Sequence, residues 1–513
     1  MTEELAADVR KALDVDTEAF EAQARTEADV VKSELREGTF NNHQSIIGLE
    51  YEFYAVADGR WEASDNPGIH SLMRVPRRLL ELIGFEKELG LHNAEMTISP
   101  QPLNADGLRA QESEVRARLA AAQGCTGAEG IRLVSDGMWT TPPAGETARG
   151  YLTDSVEAEG VRIGTNMSGS VRYHAMANGP AARGETTVDA PNVRLTAKTV
   201  MPESLISSIQ PHYQVAHADD LPVRFNYALR VAGPLVALGA NSPFFPPDLY
   251  DDVGAEKIIA ETDLENRIGV FESVLNTPDA QKVAFPEDLD TIEQAVDRVA
   301  ADATVVPMPV PEGNRFDDQF ATLRRKHGTY WRWVRPVFDG ASRSAANARI
   351  EFRPIPAQPT VRDSVAFQAT FAGLMESLPR RKHPAIDQRW STAKENFYAA
   401  AGAGLDSGQR WICNDGVETI DTEAVYDDIF AHAVDGLTTA GCSESEAEQY
   451  VAPLRARVDH RTTPADWKIS RVRERLADGD TFAEAVVRMQ RDYVRHQEET
   501  LLEGSFADWL GDG

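Results

Sequence analysis

Cysteine, lysine and long apolar runs are all scarce in this 513-residue chain. The three cysteines, Cys125, Cys413 and Cys442, lie far apart and show no Cys-x-x-Cys spacing. That excludes a disulfide framework and a zinc ribbon, and the thiols are given no catalytic part. No apolar run reaches the ~20 residues that a membrane span needs. The N-terminus reads as acidic helix rather than a secretion signal, so the expected location is cytoplasmic. Only ten lysines are present, so arginine supplies most of the positive charge. With 52 Lys+Arg against 81 Asp+Glu the net charge is −29, spread along the chain rather than gathered in a tail. Such an excess suits a protein working in high salt, where counterions screen self-repulsion. It argues against nucleic acid or an anionic membrane as partner. An anionic substrate would need a local arginine cluster or a metal.

Several common catalytic signatures are absent too. There is no Gly-x-x-x-x-Gly-Lys-Ser/Thr, no His-Glu-x-x-His and no Gly-x-Ser-x-Gly, which removes P-loop, zincin and nucleophile-elbow chemistry. Gly402-Ala403-Gly404 lies in a helical stretch without the strand–turn–helix context of a dinucleotide site.

The length allows two to three domains, or one large enzyme fold with appendages. Periodicity predicts amphipathic helix over 1–40 with a break near Asp14 to Asp16, then a strand at about 46–56. Helices follow at 75–84 and 103–123, strands at 92–99 and 131–136. Residues 137–168, rich in Gly, Thr and Pro, predict a long loop over a site. Strands are expected at 191–200, 205–217, 330–337 and 347–354, and helices at 222–239, over much of 254–302, and at 361–377. From about 385 onward the pattern is helix after helix, and no internal repeat is evident. The strand patterns alternate, which predicts an α+β fold with a mostly antiparallel sheet. One face of that sheet would do chemistry and the other would carry helices.

The alternation places chemistry on that face. In Gly48-Leu49-Glu50-Tyr51-Glu52-Phe53, Glu50 and Glu52 share one side of the strand, roughly 6.5–7 Å apart. Two like charges on a half-buried face repel, and a divalent cation with oxygen ligands relieves them. Glu95 shares a face with Asn93 and Thr97, and Gln210, His212 and Gln214 share another. Arg349, Glu351 and Arg353 point one way, and Arg335 aligns with Trp331 and Trp333. One sheet can therefore offer Glu50, Glu52, Glu95, His212 and Glu351 to metals, with Arg335 and Arg353 beside them for phosphate oxygens. Each piece also has a plainer reading. A Glu-x-Glu strand is often a solvent-facing edge, a lone histidine is usually hydrogen-bonded, Glu351 between two arginines is an ion-pair cluster, and paired tryptophans are core. Recurrence of one design in several strands favours the metal reading.

Taken in order, these segments resemble the glutamate–cysteine ligase type 2 and carboxylate–amine ligase family, over about residues 44–410. Gly48–Phe53 looks like the family's first metal-binding strand and Asn93-Ala94-Glu95-Met96 its second acidic strand. Ser170–Met176 resembles the segment after the flexible loop, and Ser208–Val215 the His-bearing strand. Ala237–Phe244 is similar to the helix-terminating turn, and Trp333–Pro336 and Ile350–Arg353 to the late strands. The resemblance implies a glutamine-synthetase-like catalytic domain at 44–410, an N-terminal helical extension at 1–43 and a C-terminal helical region at 411–513. It implies that Glu50, Glu52, Glu95, His212 and Glu351 hold Mg²⁺, with Mn²⁺ as the alternative. Arg335 and Arg353 would act catalytically on ATP phosphates, and Gln210 and Gln214 would join them in binding the nucleotide. The implied reaction is phosphorylation of the γ-carboxylate of glutamate by ATP, then displacement of phosphate by an amine, with the 137–168 loop shielding the acyl phosphate. An acidic, salt-adapted member of this family implies a haloarchaeal source and cysteine as the amine. Asn396–Gly402 departs from the family's late helix, with Ala and Gly where an Arg-Tyr pair often stands. The expected partners are small-molecule substrates, and a homo-oligomer is compatible. The rival readings are a ligase using another amine, a silent nucleotide- or amino-acid-binding paralogue, and a metal-dependent phosphohydrolase.

Overall fold

The computed structural model describes residues 2–59, 70–179, 184–277, 280–310 and 313–511. Eight strands form the main sheet: β1 (Ile46–Ala57), β2 (Phe85–Lys87), β3 (Asn93–Thr97), β4 (Gln101–Pro102), β5 (Ile131–Val134), β6 (Ile209–Gln214), β7 (Val334–Asp339) and β8 (Asn347–Phe352). Their order is β7-β8-β6-β1-β3-β2, with β4 and β5 also pairing with the long central β1. All of these pairings are antiparallel. The expected α+β architecture is the one observed.

Side-chain alternation explains why β1 lies at the centre. Leu49, Tyr51 and Phe53 are 2 % exposed or less and face the helical layer. Glu50 and Glu52 face the other way and stay partly accessible. The apolar face is covered by the helices Leu221–Gly239 and Val361–Arg381, and Phe371 of the second stacks on Phe352 of β8 at 4.4 Å. Helix Val361–Arg381 meets helix Thr422–Thr439 at two glycines. A Cβ on Gly436 would lie 1.8 Å from the Gly373 carbonyl oxygen, so the two backbones touch where no side chain fits.

The N-terminal helices Thr2–Leu13 and Thr17–Arg36 are separated at the expected break, where the Asp16 side chain caps the second helix. Glu27 of that helix accepts from the Leu323 amide at 2.8 Å. The last four helices, Glu444–Asp459 among them, are fastened by buried charge. Arg457, fully buried, bonds the Leu238 carbonyl (2.9 Å), Gln358 Oε1 (2.8 Å) and Asp363 Oδ1 (2.8 Å). Lys468 bonds Asp136, and the Asn241 carbonyl at 2.7 Å. One apolar cluster runs from Ala6 to Leu501 and draws on segments 1–43, 44–410 and 411–513, and another packs Trp467, Met489 and Tyr493 of the last two helices against Phe244 and Ile259. No described helix is long and apolar enough to cross a membrane.

Three local expectations are corrected. Residues 137–168 are not a loop over the site. They hold the helix Ala148–Thr153 and a hairpin, Ser155–Ala158 with Val161–Gly164. The segment is anchored because Trp139, Tyr151 and Leu152 are buried and Trp139 Nε1 donates to the Ser204 carbonyl at 2.9 Å. The strand expected at 191–200 is Val193–Ala197, and it pairs with Thr186–Ala190 in a separate hairpin. The strand expected from 205 begins at Ile209, because Met201–Leu205 form a 3₁₀ turn started by Pro202.

A carboxylate-rich cavity on the sheet

Register brings the charged face together. Glu52 of β1 stands opposite Glu95 of β3, which in turn stands opposite Glu86 of β2. Glu50 pairs with Gln210 of β6. One residue pair along, His212 lies between Gly48 on one side and Glu351 on the other, and Glu351 faces Arg335 of β7.

A cavity opens over this face, lined by Glu50, Glu52, Glu95, Gln210, Arg335 and Arg353. His212 and Gln214 line a neighbouring cavity that shares Glu50 with the first and is bounded by Arg349 and Asp339. Glu351 lies beneath the arginines, 4 % exposed, where its Oε1 accepts from Arg335 Nε at 2.8 Å and Arg353 Nη1 at 2.5 Å. Arg353 Nη1 also donates to Gln210 Oε1 at 2.6 Å. Glu52 accepts from the Ser208 amide (2.7 Å), Ser208 Oγ (2.9 Å) and Gln210 Nε2 (3.0 Å). His212 Nε2 lies 3.3 Å from Glu50 Oε1, and among the described residues it makes no hydrogen bond that meets normal geometry. Its Nδ1 receives the Arg349 Nε–H at 3.2 Å. Metal ligation through Nε2 would move the ring proton to Nδ1 and displace that arginine.

The second wall comes from residues that strand alternation does not reveal. Glu88 follows β2, Glu203 lies in the 3₁₀ turn Met201–Leu205, and Arg172 and Tyr173 open the helix Val171–Asn178. Glu88 and Glu203 sit outside any alternating strand, so their only sequence signal is an isolated acid near a strand end. Arg172 falls in a segment that the resemblance covers.

The electrostatics of this cavity are asymmetric. Burial, then the charge of Glu88, pushes Glu52 up to about 7 in spite of its hydrogen bonds from Ser208. Burial, followed by the charges of Glu50, Glu88, Glu52 and Glu86, pushes Glu95 well above the carboxylate range. Burial and then Glu88 and Glu52 raise Glu203 to about 8. Glu351 goes the other way. Burial alone would raise it, but Arg335, Arg353 and His212 hold it well below its ordinary value. Burial would likewise raise Glu50, but His212 beside it holds it below. Several closely set, partly accessible carboxylates repelling one another, with an imidazole nitrogen beside them, form a donor set that fits a hard divalent cation.

A second group of ligand-type atoms lies elsewhere. His383, Asp428 and His432 offer atoms within 4.8 Å of one another, a geometry that can hold an ion. There the amide of Ala385 points at His383 Nδ1 (3.2 Å), and His383 Nε2 meets Asp428 Oδ2 at 3.0 Å. Trp411 Nε1 (2.7 Å) and the Asn414 amide (3.1 Å) also donate to Asp428. These contacts tie the end of helix Val361–Arg381 to helix Thr422–Thr439, away from the sheet face.

Comparison with known proteins bears on the family and the fold. The family model described as Glutamate-cysteine ligase family 2 (GCS2) matches residues 46–497, further into the C-terminal helices than the motifs alone reach. No curated protein sequence matches the chain. Among solved structures, a glutamate–cysteine ligase from Francisella tularensis in complex with AMP is similar at 15 % identity and a TM-score of 0.52, covering 92 % of each chain. A bifunctional glutathione synthetase from Pasteurella multocida is similar at 12 % identity and a TM-score of 0.42, covering 92 % of this chain and 55 % of that one.

Proposed function

This chain belongs to glutamate–cysteine ligase family 2 and is an ATP-dependent ligase that forms a carbon–nitrogen bond; from that premise we propose that it joins the γ-carboxylate of glutamate to the amine of cysteine. The observation that carries the reading is the convergence, on one sheet face, of Glu50, Glu52 and Glu95 with the Arg335–Glu351–Arg353 pair of ion bridges.

A carboxylate is a poor electrophile, and phosphorylation by ATP gives it a leaving group. Glu50, Glu52 and Glu95 would hold Mg²⁺, with Mn²⁺ as the alternative, and His212 and Glu351 complete the proposed set from the adjoining row. Bound there, the cation supplies positive charge against the transferring phosphoryl group. Arg335 and Arg353 are kept in place by their shared carboxylate, so their remaining N–H donors are set in advance for phosphate oxygens. Gln210, bonded to both Glu52 and Arg353, couples the acidic and basic halves. Gln214 would serve the nucleotide from the neighbouring cavity. The net charge of −29 supports a salt-rich working environment, and cysteine as acceptor rests on the resemblance to the family.

The test is an incubation in molar KCl with ATP, Mg²⁺ and glutamate, with cysteine or a panel of other amines, read by phosphate release and product mass. Cysteine-dependent phosphate with a γ-glutamylcysteine mass supports the assignment. A product with a different amine replaces the acceptor and keeps the chemistry. ATP binding without phosphate release from any amine overturns the ligase reading.

A further inference from the structure

Arg335 enters the cavity from β7, the strand at one end of the sheet order. Two nitrogens of its guanidinium are already committed. Nε donates to Glu351 Oε1 at 2.8 Å, and Nη1 donates to the carbonyls of His327 (3.2 Å) and Tyr330 (3.3 Å). Among the described residues Nη2 makes no hydrogen bond, which leaves it for an oxygen in the cavity.

The two carbonyls belong to one tight turn. The helix Ala321–His327 ends there, and the Tyr330 amide returns to the His327 carbonyl at 2.9 Å. Gly328 and Trp331 line the cavity beside Arg335, so the turn is part of the cavity rim. The His327 ring fastens it to the sheet. Pro336 follows Arg335 on β7 and has no N–H, which suits an end strand. Its carbonyl accepts from His327 Nε2 at 2.8 Å. A carbonyl can only accept, so the ring proton lies on Nε2. Burial, then the charge of Arg335, pushes His327 down to about 3, and the neutral ring adds no charge beside the guanidinium. His327 thus grips two neighbours on one strand, Pro336 through its ring and Arg335 through its carbonyl.

We infer that His327 is a positioning residue for phosphoryl transfer: its ring clamps the 327–330 turn to β7, the carbonyls of that turn fix Arg335 Nη1, and Nη2 is thereby aimed at the terminal phosphate of ATP. This rests on the reading that Arg335 binds ATP phosphates. A guanidinium held by Glu351 alone is free to pivot about that contact, and small misplacements of a charge-stabilising group are costly. Carbonyl oxygens suit the task better than a second carboxylate, because they orient the guanidinium without neutralising the charge that phosphate needs.

The test is calorimetric binding of two probes, ADP and a non-hydrolysable ATP analogue, to the full chain in molar KCl with Mg²⁺. Wild type is expected to prefer the analogue, and Arg335→Gln to cut that preference roughly tenfold. His327→Leu lacks the donor, and His327→Asn carries one too short to reach Pro336. Each should cut the preference roughly threefold or more, with ADP affinity within about twofold of wild type. His327→Gln, whose amide can give an N–H to Pro336, should restore most of it. In the Arg335→Gln background, His327→Leu should cost nothing further.

A preference unchanged in both removal variants, a parallel loss of both nucleotides, no recovery in His327→Gln, or an additive loss in the double variant would each overturn the inference. If Arg335→Gln alone still loses the preference, the phosphate role of Arg335 stands without His327. A preference that survives Arg335→Gln, or is missing from wild type, would remove Arg335 from the terminal phosphate and the inference with it.

Discussion

Glu52 and Glu95 face each other directly across two adjacent antiparallel strands, an arrangement that destabilises a sheet when both are charged. Glu52 is pushed up to about 7 and Glu95 well above its ordinary range, burial being the first cause of each. A carboxyl raised on folding contributes stability that is fully present below its unfolded value and lost as pH rises through its folded one. The metal-free protein is therefore expected to lose stability between pH 5 and 8. Added Mg²⁺ should restore it, by an amount that grows over that window as protons leave the site. Thermal unfolding with EDTA and with Mg²⁺ at pH 5.5 and 8 measures this, and an increment independent of pH would argue against a cation at these residues.

Replacing Glu52 separates activity from folding. Glu52→Gln keeps the volume and removes the charge that a cation needs, so turnover should be abolished. The melting temperature of the metal-free protein at pH 8 should stay within a few degrees of wild type, because the repulsion from Glu88 and Glu95 goes with the charge. Full activity in this variant would remove Glu52 from the metal set.

Arg353 serves Glu351 and Gln210 through one nitrogen, and its buried Nε has no partner among the described residues. Arg353→Lys preserves charge but loses the planar fork that the account assigns to phosphate oxygens, and kcat should fall at least roughly tenfold. A rise confined to the KM for the amine would assign the residue a different role.

The C-terminal helices are expected to be inseparable from the catalytic sheet. Lys468, 2 % exposed, meets Asp136, which also accepts from Gln490 at 2.9 Å. Lys468→Met strands the Asp136 charge and should cost about 3–5 kcal/mol in denaturant unfolding. A smaller loss, with activity intact, would mark residues 411–513 as a peripheral addition.

Strand alternation made half of this site legible. Glu50, Glu52, Glu95, Glu351 and Arg353 fall on one face because the period of a strand is two. Register is set by pairing between distant segments, so the meeting of Glu52 with Glu95 and the burial of Glu351 under two arginines were not readable from any one strand. Glu88 and Glu203 lie in turns, where no periodicity marks a side chain's direction. Residues 137–168 misled because Gly, Thr and Pro also build tight hairpins. The tie to the last helices depends on Arg457 and Lys468, and charged residues carry no sequence signal of burial.

The account's central claim is that ATP activates a glutamate carboxylate on this sheet face, and transfer of oxygen tests it most directly. Glutamate labelled with ¹⁸O in its γ-carboxylate, incubated with ATP, Mg²⁺ and cysteine, should yield inorganic phosphate carrying one labelled oxygen for each amide formed. Amide formed with unlabelled phosphate would contradict the acyl-phosphate route and the roles given to Arg335 and Arg353.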